Sequence, residues 1–264
     1  MKPFLSICII SICVSCSPNQ EKTQDCGTNS AEITDSATEN KPMATDTLQV
    51  NIESVIRHST KYSNYIAEGL KELSDSSVFS VSHSQMIQQL DSIHHTYFNQ
   101  KPELQLLSYS RGDLFQNGLN DFGFIVYDRL DNLISFLVYN DLLKDYFLLY
   151  QDMNVETGIN SDECYYSASG TLDYQVASEL VWHKESFIMK PESLSEYTLC
   201  MIGDIVGLPN ILIERGCSAD DYNLGSSESA LCIGTSLVYN NWDCLRFDKE
   251  RNTFIIFFGQ AFAD

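Results

Sequence analysis

The apolar residues of this chain change their spacing at Pro102, and that change restricts the fold more than any other feature of the sequence. Ahead of it Val50, Ile52, Val55, Ile56, Tyr62, Tyr65, Ile66, Leu70 and Leu73 recur at three- and four-residue intervals, which predicts one amphipathic helix over residues 48–73. A second helix is expected where Ser82 or Ser84 supplies a cap and Met86, Ile87, Leu90, Ile93, His94 and Tyr97 form the stripe, stopping at Asn99 and Pro102. Beyond Pro102 the runs are short and bounded by Asp, Asn or Gly. Residues 104–110, 122–127, 133–139 and 146–150 therefore predict strands joined by tight turns, an antiparallel meander. Strand-like runs continue at 179–189, 197–202, 211–214, 230–239, 244–247 and 253–258. The expected class is α+β, mainly antiparallel β, with two N-terminal helices followed by a β-meander of propeller-blade or sandwich type.

The N-terminus carries Lys2 and then an apolar run through residue 15, too short to cross a bilayer, which needs roughly 20 apolar residues. This is a signal peptide over residues 1–15. Val14-Ser15-Cys16 resembles a bacterial lipobox, with Cys13 standing where that motif usually has Leu. The resemblance implies diacylglycerol on Cys16, cleavage ahead of it, and a membrane partner reached through lipid. Ser17 follows with no Asp in the retention position, so the resemblance further implies an outer-membrane lipoprotein, on its periplasmic side or at the cell surface. Residues 16–46 contain no aromatic residue and are rich in Ser, Thr, Asn, Glu, Lys and Asp, the composition of a disordered tether. Residues 47–264 form the folded part, a helical segment plus a β-rich domain.

The chain holds 16 Lys plus Arg against 36 Asp plus Glu, a net charge of −20. Nucleic acid is excluded as a partner class, because phosphate recognition needs a basic footprint. An acidic surface suits solubility, divalent cations or a basic protein. Of nine cysteines, Cys8 and Cys13 leave with the signal peptide and Cys16 is the acylation candidate. Disulfides or buried free thiols are expected among Cys164, Cys200, Cys217, Cys232 and Cys244 in an exported protein, with the pairing left open and Cys26 in the tether; zinc is the alternative, but no CxxC pair exists among them.

One loop carries metal-type chemistry. Residues 111–127, from Arg111-Gly112-Asp113 through Gly118 and Asp121 to Tyr127, resemble the FG-GAP/VCBS, or integrin-type, calcium loop of many bacterial lipoproteins. In that loop alternate oxygen-bearing side chains face inward around a tight turn, and a glycine permits left-handed backbone. The resemblance implies side-chain oxygens from Asp113, Asn117 and Asp121, the Leu119 carbonyl, and Gly118 as the turn residue. Phe115 stands where a ligand is usual and Asn117 replaces a carboxylate, so bound calcium would be weak, on the order of 10⁻⁴ to 10⁻³ M or worse. The alternative is a turn that keeps its shape without metal, and no other cofactor is implied. Arg111-Gly112-Asp113 also spells a tripeptide that some integrins bind, here a coincidence within the loop.

His94-His95 do not converge on one ion from a helix, so His94 is expected packed and His95 exposed. Trp182-His183 fall in a strand-like run. Asp131, Asp162-Glu163 and Asp220-Asp221 read as solvated turn carboxylates, and no nucleophile motif is present. The reading is a non-catalytic envelope lipoprotein whose β-rich body binds a protein or glycan. Two alternatives are an immunity or inhibitor lipoprotein with an acidic face, and an envelope hydrolase, which needs a cleft with two converging titratable groups.

Overall fold

The computed structural model describes residues 55–56, 58–157, 171–203, 211–212, 229–236 and 241–261. Cys16, the tether, Cys26, Cys164, Cys217, Asp162-Glu163 and Asp220-Asp221 lie outside them. The class is α+β with mainly antiparallel sheets, and neither sheet closes on itself among the described residues.

The first sheet is a four-stranded meander whose spatial order follows the chain: β2 (Leu104–Gly112), β3 (Asp121–Asp128), β4 (Leu133–Asn140) and β5 (Asp145–Leu148). Alternation sends Phe122, Phe124 and Val126 of β3 to one face and Ile125 and Tyr127 to the other. Both faces are buried. A register shift between Leu106 and Ser108 marks a bulge in β2.

One face is covered by two helices, α2 (Val78–Ile87) and α3 (Ser92–Gln100), through Met86, Leu90 and Phe98. The single helix expected here is interrupted. Asp91 is extended, φ −71 and ψ 160, and its carbonyl accepts from the amides of both His94 and His95, which starts a new helix after the turn. The first helix is also shorter than its periodicity suggested. Helix α1 (Asn64–Asp75) begins at Ser63, whose Oγ accepts from Ile66 N at 3.5 Å, while Val55–Ile56 form strand β1 and pair antiparallel with β6 (Val155–Thr157). β-Branched residues gain more from a ladder partner than from a helical turn, so pairing decides this segment.

The meander's other face meets α1, α4 (Leu172–Trp182) and the second sheet. That sheet runs β1-β6-β11-β10-β9-β7, with β7 at Cys200–Gly203, β9 at Ala230–Ser236, β10 at Asn241–Asp248 and β11 at Thr253–Ala261; β8 (Ile211–Leu212) also pairs with β11. Glycines set how closely the two sheets approach. A Cβ on Gly123 would lie 2.6 Å from Leu231 Cδ1, and one on Gly112 would lie 2.6 Å from Ile202 Cγ2.

The strand expected over 179–189 is instead the end of α4 and a short helix α5 (Lys184–Met189), followed by a 3-10 helix at Pro191–Glu196. Leu172, Val176, Ala177, Leu180 and Val181 are buried at helical spacing, and Val181 packs into the gap left by Gly69 of α1. Trp182 and His183 therefore stand at a helix end and not on opposite faces of a strand. Directly opposed on β9 and β10, Cys232 and Cys244 form a disulfide with a Cα separation of 4.0 Å. Cys200 is a buried free thiol, its pKa pushed up to about 12 by burial.

Candidate functional site

The loop singled out by its motif spans the β2–β3 hairpin, closed by the pairing of Gly112 with Asp121. Gly118 has φ +79, the left-handed conformation its turn requires, and Gln116 is left-handed as well. The three candidate side-chain ligands, Asp113, Asn117 and Asp121, each turn an oxygen onto a backbone amide. Asp113 Oδ1 accepts from Asn117 N at 2.6 Å, and Asn117 Oδ1 accepts from Leu119 N at 3.0 Å. Asp121 is 0 % exposed; its Oδ2 accepts from Phe115 N and its Oδ1 from Asp141 N, each at 2.9 Å. Burial raises the Asp121 pKa, the two amides pull it back, and the charges of Asp113 and Asp141 raise it again.

An amide N–H takes one of the two lone-pair directions of the oxygen it is aimed at. Phe115, in place of a ligand, is buried against Phe247 and Phe254. No three His, Cys, Asp or Glu side chains come together to hold a metal among the described residues. The geometry shows a turn held by its own amides. Asp121 adds a link that the motif does not specify, since it ties the β2–β3 loop to the β4–β5 turn through Asp141.

Beside this loop lies a groove of about 450 Å³. One wall is the α2–α3 turn, Gln89, Leu90 and Asp91; the other is the outer half of β2, Tyr109, Ser110 and Arg111; Phe122 also lines it. Tyr109 donates its hydroxyl hydrogen to Gln89 Oε1 at 3.3 Å. Asp91 makes no side-chain capping bond although it sits at the N-cap of α3, and it forms no ion pair with Arg111. Sequence reasoning missed this groove because its walls lie some twenty residues apart in the chain, and because the helix was read as continuous through Asp91. The one available signal was an Asp-Ser pair inside the helical stripe, a start signal for a new helix.

Below Phe122 sits His94, 1 % exposed and caged by aromatic rings. Its ring centroid is 4.3 Å from Phe122, 4.9 Å from Tyr139 and 5.3 Å from Phe124, and its Nδ1 lies 2.5 Å from the Tyr146 hydroxyl. Burial lowers its pKa to about 4 against the weaker pull of Asp91 and Asp141, so the ring is neutral at pH 7. His94 is packed, as expected, while His95 is half-buried.

A second polar cluster lies on the far side of the meander. Asp173, 0 % exposed near the start of α4, accepts from Ser59 N at 3.4 Å, and its other oxygen is 3.8 Å from His58 Nε2. His58 Nε2 is also 2.6 Å from the Ile134 carbonyl, the Tyr62 hydroxyl accepts from Ile134 N at 3.0 Å, and the Ser59 and Thr171 hydroxyls are 2.5 Å apart. These contacts pin the chain just after β1 to both α4 and β4. Burial, and after it the Asp173 charge, raises the pKa of the Tyr62 and Tyr150 phenols.

No helix among the described residues is long and apolar enough to cross a membrane. Asp131 is exposed, as a turn carboxylate should be. No family model, no curated protein and no solved structure matches the chain.

Proposed function

We propose that this chain is a lipid-anchored protein of the bacterial cell envelope, placed at the outer membrane through Cys16, whose body is a non-catalytic binding module. The groove between Asp91 and Arg111 carries the binding part of this reading, because it joins unpaired charge to aromatic surface on a rigid two-sided sheet. The apolar N-terminal run and Val14-Ser15-Cys16 carry the anchor. The Cys232–Cys244 disulfide suits the oxidising compartment that an exported protein enters. In the same reading the meander β2–β5 is a blade-like layer whose exposed end presents the ligand site.

Two measurements test it. Growth with a clickable fatty acid should label the wild-type protein and leave Cys16→Ala unlabelled; equal labelling of both removes the anchor. A photo-crosslinking phenylalanine at Tyr109 should give an adduct in the producing cell, while the same probe at Leu130, beyond the opposite end of β3, should not. Adducts at neither position, or at both alike, remove the groove as the binding site.

A further inference from the structure

Two opposite charges face one groove without neutralising each other. Every other polar side chain lining it is already engaged within the protein. Tyr109 donates to Gln89 Oε1, Gln89 Nε2 donates to the Gln85 carbonyl at 3.3 Å, and the Ser110 hydroxyl accepts from Ile202 N at 2.9 Å. That leaves Arg111 and Asp91, both exposed. An aspartate at a helix N-cap ordinarily turns back onto the first-turn amides, and Asp91 does not, so its carboxylate is free to meet a donor from outside. Arg111 forms no ion pair among the described residues, although the chain carries 36 acidic residues against 16 basic ones. A guanidinium left unpaired in so acidic a protein is available for a carboxylate, which it receives as a two-point fork. Between the charges the lining is the nearly buried pair Leu90 and Phe122.

We infer that the groove binds a small zwitterion, a free amino acid or dipeptide. Its carboxylate meets Arg111, its ammonium meets Asp91, and its side chains lie over Leu90 and Phe122. A lone anion would leave Asp91 facing it with like charge, and a lone cation would leave Arg111 doing the same. A neutral glycan would leave both charges desolvated without partners. A volume of about 450 Å³ is of the size that small-molecule sites have.

The inference rests on the binding reading above, and its test is separable from that one. Full-length protein in detergent is titrated calorimetrically with L-alanyl-L-alanine, its N-acetyl derivative and its C-terminal amide. The dipeptide should bind saturably, and each blocked form about ten-fold or more weakly, because each loses one charge-assisted contact. Arg111→Gln should lose the preference for carboxylate over amide, and Asp91→Asn the preference for ammonium over acetamide. The inference fails if the dipeptide shows no saturable heat up to about 10 mM. It fails equally if the three compounds bind alike, or if both variants discriminate as the wild type does. Since blocking the ligand asks the same question as changing the protein, a poorly folded variant does not leave the matter open. A Tyr109 adduct in the cell together with a silent titration would keep the groove as a binding site and remove the zwitterion.

Discussion

The two sheets of this protein are built by opposite routes. In the meander, β2 to β5 are neighbours in space in the order in which they occur in the chain, joined by tight turns. In the second sheet, β1 pairs with β6, β6 lies parallel to β11, and the remaining strands come from the last quarter of the chain. The meander can be assembled by local contacts, whose closure costs little entropy; the other sheet must pair strands about 100 residues apart, β1 with β6 and β6 with β11. The site sits with the local sheet, at the end where two of its turns are tied by Asp121. Local construction thus holds the groove in shape, and the long-range sheet supports it from behind.

Four measurements sharpen or break that contrast. The largest effect belongs to the meander's outer face. His94 has a folded-state pKa of about 4, below its ordinary 6.5, so it favours the folded state fully above pH 6.5 and progressively less as pH falls toward 4. That contribution is about 3 kcal/mol, and denaturant melts between pH 7 and 4 should lose it in the wild type but not in His94→Gln. An unchanged pH slope in the variant would show that the aromatic cage does not hold the ring neutral.

Next is the long-range sheet. Removing the Cys232–Cys244 bridge by the double change to Ala opens a loop with a sequence separation of 12, worth slightly under about 3 kcal/mol. Hydrogen exchange should quicken in β9 and β10 and stay slow in β3 and β4; uniform acceleration would mean that the two sheets unfold as one unit.

At the seam, Gly123→Ala places a methyl 2.6 Å from Leu231 Cδ1 and should cost about 1–3 kcal/mol in a urea melt, as Leu231 or its strand gives way. A neutral result would show the seam to be looser than its geometry. The smallest effect is expected at the hairpin loop, where millimolar calcium should leave the melting temperature unmoved, because amide bonds to Asp113, Asn117 and Asp121 already fix the turn and Phe115 stands in place of a ligand. A rise with calcium and not with magnesium would restore the loop as a metal site.

The same contrast explains what could be read from the sequence. All four strands of the meander were legible, because alternation and turn residues are local signals: Phe122, Phe124 and Val126 alternate with Gly123, Ile125 and Tyr127, and Gly118 marks the turn. Helix α4 is hidden because Leu180 and Val181 run on into the apolar residues after Glu179, and only their spacing from Leu172, Val176 and Ala177 marks the helical face. Strand β1 was misread because Val55 and Ile56 fit the helical stripe, and only their partner on β6, about 100 residues away, decides otherwise. For the site, the motif led to the hairpin loop but not to the amide contacts that hold it. Ligand spacing is written in the sequence, but which amides an aspartate receives depends on where Phe115 and Asp141 come to rest.

Strand β1 has a mechanical meaning. It is a two-residue strand at the margin of its sheet, so a pull exerted on Val55 meets this margin first. Behind it stand the Ser59–Thr171 and His58–Ile134 contacts, which spread the load into α4 and β4. Such a pull is resisted by two ladder pairs and then by these contacts, all on the side of the meander away from the groove.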